Sequence, residues 1–149
     1  MANRTSLYTD NAVTQLIDPA TLTADTNSTS VDMKGYDELL LIANCGESGD
    51  TLAADLAWEF EVEESTDDST FTDVADADLI NYVAGTNDGC FALINAAAED
   101  DTVYFTSYRG TSRYVRVVAN AIGLVSSGMP ISVTAIRRAN VKPANTVTT

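Results

Sequence analysis

The chain has 149 residues, enough for one domain with a real core, since a chain of this size buries roughly 70% of its unfolded surface. Its 22 acidic and 8 basic residues give a formal charge of −14, which repels nucleic acid. No apolar run approaches the roughly 20 residues that span a bilayer, and with no histidine at all the chain has no Ser–His or Cys–His nucleophile and no imidazole metal ligand.

The composition is 45% hydrophobic and 20% charged, and rich in Thr, Ser, Asn, Asp, Val and Ala, as in extracellular-style β proteins. Residues 1–27 hold few large apolar groups, show no regular period and contain Pro19. Such a segment lacks the apolar surface to offset its own ordering entropy, and is expected to be an extended arm that orders against something else. "MANRTSLYTD" has no basic start followed by an apolar run, so a soluble, unprocessed product of the cytoplasm is expected.

From residue 28 onward, short strand-like runs alternate with Gly-, Asn-, Asp- and Ser-rich turns. Strands are expected at residues 29–34, 38–44, 56–64, 71–74, 79–83, 91–94, 102–108, 113–119 and 131–138. No amphipathic helix of useful length intervenes, although "INAAAED" suits one helical turn. The fold class is therefore all-β, an antiparallel β-sandwich or barrel-like domain over residues 28–138, with the arm before it and a polar tail at 139–149.

The stretch from Trp58 to Leu79 packs nine carboxylates and no positive charge. Leu56, Trp58, Phe60 and Val62 fall on one parity and Glu59, Glu61 and Glu63 on the other, which predicts a half-buried strand with an acidic, solvent-facing outer side. Ser65 to Thr70 are all Ser, Thr or Asp, which favour turns. Further on, "YRGTSRY" suggests a hairpin joining residues 103–108 to 113–119. In "RYVRVVA" both parities are largely apolar, the mark of a central strand.

Chemistry finds little purchase. Two carboxyls across a cleft suffice for a glycosidase, but one must be desolvated, and an exposed acidic face is the opposite of that. The turn after residue 65 has calcium-loop composition only: read from Asp67, the sixth residue is Thr72 rather than glycine and the twelfth is Asp78 rather than glutamate. That leaves at most a weak divalent-ion site at Asp67 and Asp68. Cys45 and Cys90 are expected to be small, reduced, core-facing residues. No catalytic, cofactor or metal residue is assigned. All 22 acids lie at or before Asp101, whereas six of the eight bases follow it. This split makes Arg109, Arg113 and Arg137 candidate interface residues, to be neutralised either within the domain or by a neighbouring subunit.

The order "NSTSVDMKGYDELLLIANCGESGDTL", "WEFEVEESTDDSTFTDV", "SYRGTSRYVRVVANAIG" and "GMPISVTAI" resembles small virion proteins of tailed bacteriophages, the head decoration or cement proteins. The resemblance covers about residues 27–138. It implies a non-enzymatic protein on the outer surface of the virion capsid, bound to the major capsid protein and stabilising its lattice, commonly as a homotrimer, without cofactor, nucleic acid or membrane. Two alternatives share the composition: a head–tail connector or tail protein, and a carbohydrate-binding module. The second usually displays several aromatics on one surface, whereas the sole tryptophan, Trp58, has the buried parity.

Overall fold

The computed structural model describes Tyr8 and residues 11–139. Ten strands occur among them: β1 (Asn11–Leu22), β2 (Thr26–Asn27), β3 (Val31–Asp32), β4 (Glu38–Cys45), β5 (Ala57–Ser65), β6 (Thr72–Asp73), β7 (Cys90–Ile94), β8 (Val103–Tyr108), β9 (Tyr114–Ile122) and β10 (Met129–Arg138). They form two antiparallel sheets. The first has the order β1-β10-β4-β8; in the second, β9 and β5 are central, with β2 and β3 along one side and β7 and β6 along the other. The protein is an all-β sandwich.

The core lies between the sheets and its central strands build it by alternation. In β4, Leu39, Leu41, Ala43 and Cys45 point inward, and in β10 Met129, Ile131, Val133 and Ala135 do the same. The second sheet contributes Trp58, Phe60 and Val62 from β5 and Val115, Val117 and Ala119 from β9, all at most 1% exposed. Phe60 meets Phe91 with ring centroids 6.0 Å apart. The expected parity of β5 is confirmed on its inner side, and burying each of these large side chains is worth about 1.5–3 kcal/mol.

Four local expectations are corrected. The segment assigned to an arm contains β1, a twelve-residue edge strand paired with β10 along its length, with Leu16 and Ile17 buried. Register shifts between Gln15 and Ile17 and between Ile17 and Ala20 put both residues against the core and break the alternation that would have revealed a strand. Pro19 falls in the second shift, where an edge strand tolerates its missing N–H. Residues 1–7, 9–10 and 140–149, which include most of the polar tail, lie outside the described residues.

The hairpin expected across "YRGTSRY" does not exist: β8 pairs with β4 in the first sheet and β9 with β5 in the second. Tyr108 ends β8 with its ring buried, its hydroxyl donating to Glu64 and accepting the Ser112 N–H at 3.0 Å, so the link is pulled across the end of the sandwich. Residues 79–83 form no strand. A 3-10 turn at Asp76–Asp78 and a single bridge from Leu79 to Tyr108 lay this segment along the free edge of β8 instead. The run at 29–34 keeps only Val31–Asp32 as strand.

Candidate interaction site

The same alternation that fills the core leaves an apolar outer face on the first sheet. Across the strands, Val13 of β1 faces Ile136 of β10, Ile136 faces Leu40 of β4, and Leu40 faces Ser107 of β8. One row along, Ile42 faces Phe105. Val13 is 67% exposed, Phe105 58% and Ile80, which hydrogen-bonds to the β8 edge, 62%. Apolar side chains gathered on one face of a chain so rich in acid mark a contact surface, since isolated exposed apolar residues are ordinary but contiguous ones are not.

At one end this face dips into an open depression of about 880 Å³, floored by Val13, Leu40, Ile80 and Ile136 and edged by Arg109. Arg109 follows β8 directly, its backbone N–H held by the Asp78 carbonyl at 2.7 Å. Its guanidinium forms no ion pair or side-chain hydrogen bond among the described residues. The Arg138–Glu38 ion pair and Asp37 complete the rim.

The other two candidate arginines are engaged within the domain. Arg113 forms a two-point ion pair with Asp32, at 2.9 and 2.7 Å, and lies over the Tyr114 ring. That contact, with the Lys34 N–H, holds the Asp32 carboxyl far below the usual carboxylate range. Arg137 stacks on Tyr36 at 4.4 Å, donates to the Asp32 carbonyl at 2.6 Å and to Thr14 at 3.2 Å, and leaves its Nε buried with no partner among the described residues. The structure thus collects Arg113 and Arg137 around Asp32 and leaves Arg109 apart.

The acidic strand departs from its expectation. Glu59 and Glu61 point outward from the second sheet but are each only 6% exposed. The Asn87 side chain folds over them and donates to both, at 3.1 and 2.8 Å, while Asn120 donates to Glu61 at 2.7 Å. Desolvation, and behind it the neighbouring Glu59 charge, push the Glu61 carboxyl upward despite these donors. Glu63 is half-buried in an ion pair with Arg116, which stacks on Phe71 at 4.1 Å. Cys90 is buried, as expected, yet on this outer side rather than in the core, and burial pushes its thiol up to about 12.

The depression at Arg109 does not border the Glu59–Glu61 pair. Among the described residues no group of three or more metal-capable side chains converges. Asp67 spends its carboxylate on its own turn, accepting the N–H groups of Thr70 and Ser69 and then the Ser65 hydroxyl, which lowers its pKa. The apolar floor went unassigned from sequence. Its signal was the run Leu39–Ile42, apolar on both parities, which marks a strand covered on both faces.

The fold defines a class: a two-sheet antiparallel β-sandwich with an apolar outer face on its first sheet. The crystal structure of SPBc2 prophage-derived protein YomS has a similar fold, with a TM-score of 0.52 over 86% of this chain and 92% of that one, at 13% identity. No protein-family model and no curated protein sequence matches the chain. No helix among the described residues is long and apolar enough to cross a membrane.

Proposed function

We propose that the protein is a non-enzymatic structural component of a tailed-phage virion, seated on the outside of the capsid as a decoration protein. The observation that carries this reading is the fold shared with a prophage-derived protein over nearly the whole of both chains. The motif order from residue 27 to 138 supports the capsid as its place. So does the apolar outer face, which a free-standing chain has no reason to display. Attachment by many copies tolerates a weak individual contact, because each bound copy raises the local concentration of the next site.

Quantitative mass spectrometry of purified particles tests the proposal by counting copies against the major capsid protein. Decoration predicts on the order of hundreds of copies per particle, lost when the apolar face is made acidic by Phe105→Asp. About a dozen copies, the count of a symmetric ring at one vertex, would replace this reading with a connector role. Absence from the particle would refute both.

A further inference from the structure

The end of the sandwich opposite Arg109 carries an apolar projection on a rigid acidic base. Between β9 and β10 runs "GLVSSG", in which Val125 packs against the core and Leu124 is 86% exposed. Gly123 and Gly128 both take φ of +79°, and a Cβ on either would run into a backbone carbonyl, of Asp55 and Leu22 respectively. Between them, the Asp50 carboxylate accepts the N–H groups of Ser126, Ser127 and Gly128 at 2.8–3.4 Å and the Ser126 hydroxyl at 2.7 Å. A leucine held outward by this much fixed geometry loses little freedom on docking.

The charge around it is of one sign. Asp25, Asp50, Asp55, Asp100 and Asp101 lie at this end, where β4 and β9 finish and β5, β8 and β10 begin. The described cations, Lys34, Arg109, Arg113, Arg116, Arg137 and Arg138, all lie toward the other end. There the depression floored by Val13, Leu40, Ile80 and Ile136 offers an apolar hole rimmed by Arg109, which forms no ion pair or side-chain hydrogen bond among the described residues, by Asp37, and by Arg138 paired with Glu38. Projection and hole therefore match in polarity, Arg109 gives the rim a cation outside the Arg138–Glu38 pair to meet the acids of the projection, and the two stand at opposite ends of one β10 strand.

We infer that the depression receives Leu124 of a second copy of this chain, with Arg109 meeting the acids that flank the projection. Because the two surfaces differ, the contact is head-to-tail, and repeating it generates a closed ring or an open filament rather than a two-fold dimer. The inference concerns the purified chain alone and is independent of whether the assembly sits on a capsid.

Two exposed substitutions separate the two surfaces. Leu124→Asp removes the projection and leaves the hole; Ile80→Asp closes the hole against an acidic partner and leaves the projection. Analytical ultracentrifugation of the full chain is expected to show wild type associating, and each variant weakened by at least about thirtyfold, the loss typical of an interface hot spot. Thermal melts matching wild type establish that each variant is folded. Mixing the two variants is expected to restore one intact contact per pair and give a 1:1 heterodimer, whereas the double variant associates with nothing. Arg109→Glu should weaken association severalfold in dilute buffer and make little difference at about 1 M salt, where the Debye length falls to roughly 3 Å. A monomeric wild type, a Leu124→Asp variant that associates normally, or failure of the mixture to pair would each overturn the inference.

Discussion

Replacing Glu61 by Gln probes the acidic strand where the structure departs most from its sequence pattern. Glu61 is 6% exposed, and its carboxyl titrates above the ordinary glutamate value because burial, and then Glu59, disfavour its charge. A carboxyl whose pKa is raised by folding binds its proton more tightly in the native state than in the unfolded chain. Its contribution is therefore fully stabilising below the unfolded value of about 4.3 and is lost as pH climbs through the folded value. For every pH unit separating the two values, about 1.4 kcal/mol of stability disappears as pH rises from the unfolded value through the folded one. Glutamine keeps the shape and cannot ionise. Asn120, which donates to Glu61 at 2.7 Å, can turn its amide to accept from the new side chain. Urea denaturation in half-unit steps from about pH 4 to about pH 8 should thus show wild type losing stability relative to the variant as pH rises. Asp73, also raised by burial, is present in both proteins, so that only its coupling to Glu61 enters the difference. Parallel pH profiles, or a difference growing the other way, would refute the reasoning.

Deleting residues 1–27 should abolish cooperative folding, because β1 supplies Leu16 and Ile17, each 5% exposed, and covers one side of β10. Two such side chains are worth about 1.5–3 kcal/mol each before any backbone hydrogen bond is counted, against a total stability of about 5–15 kcal/mol; a native-like two-state melt of the truncated chain would contradict this. Asp50→Asn should destabilise at neutral pH and match wild type near pH 2, since the Ser126 hydroxyl and then the N–H groups of Gly128 and Ser127 hold the Asp50 carboxyl down to about 2. That stabilisation is present above the unfolded carboxylate value and lost as pH falls toward the folded one, and thermal melts of both proteins over this acid range measure it.

Strand positions were most legible where one face is apolar and the other polar. Trp58, Phe60 and Val62 declared themselves against Glu59, Glu61 and Glu63 because the sheet has one dry side. What stayed hidden depended on partners distant in sequence. The exposure of Glu59 and Glu61 is set by Asn87, more than twenty residues away, and no local pattern announces a loop that folds back over a strand. β1 was concealed by its own irregularities, since two register shifts within twelve residues destroy a two-residue period. The connection from Tyr108 to Arg113 has the composition of a hairpin turn. Whether it closes a hairpin or crosses to the other sheet is decided by Tyr108, anchored by Glu64 and Ser112. Of the three arginines singled out by the charge split, only Arg109 forms no ion pair or side-chain hydrogen bond among the described residues, and choosing among them required knowing that Asp32 lies beside the other two.

The order of strands within the first sheet governs when the molecule can fold. Among the described residues its members are the first, fourth, eighth and tenth strands, and β10, the last of these, lies between β1 and β4, so that Asn11 pairs with Arg138. A chain emerging from a ribosome can assemble β5 and β7, which are near in sequence, but cannot complete the first sheet until its final strand is released. Until then β4 can pair with β8, but β1 has no strand to join and its inward face remains open to solvent or to other chains. Folding that waits on such distant pairings is slow and collision-prone. The acidity of residues 1–101, which precede β10, gives nascent copies a mutual repulsion during that interval.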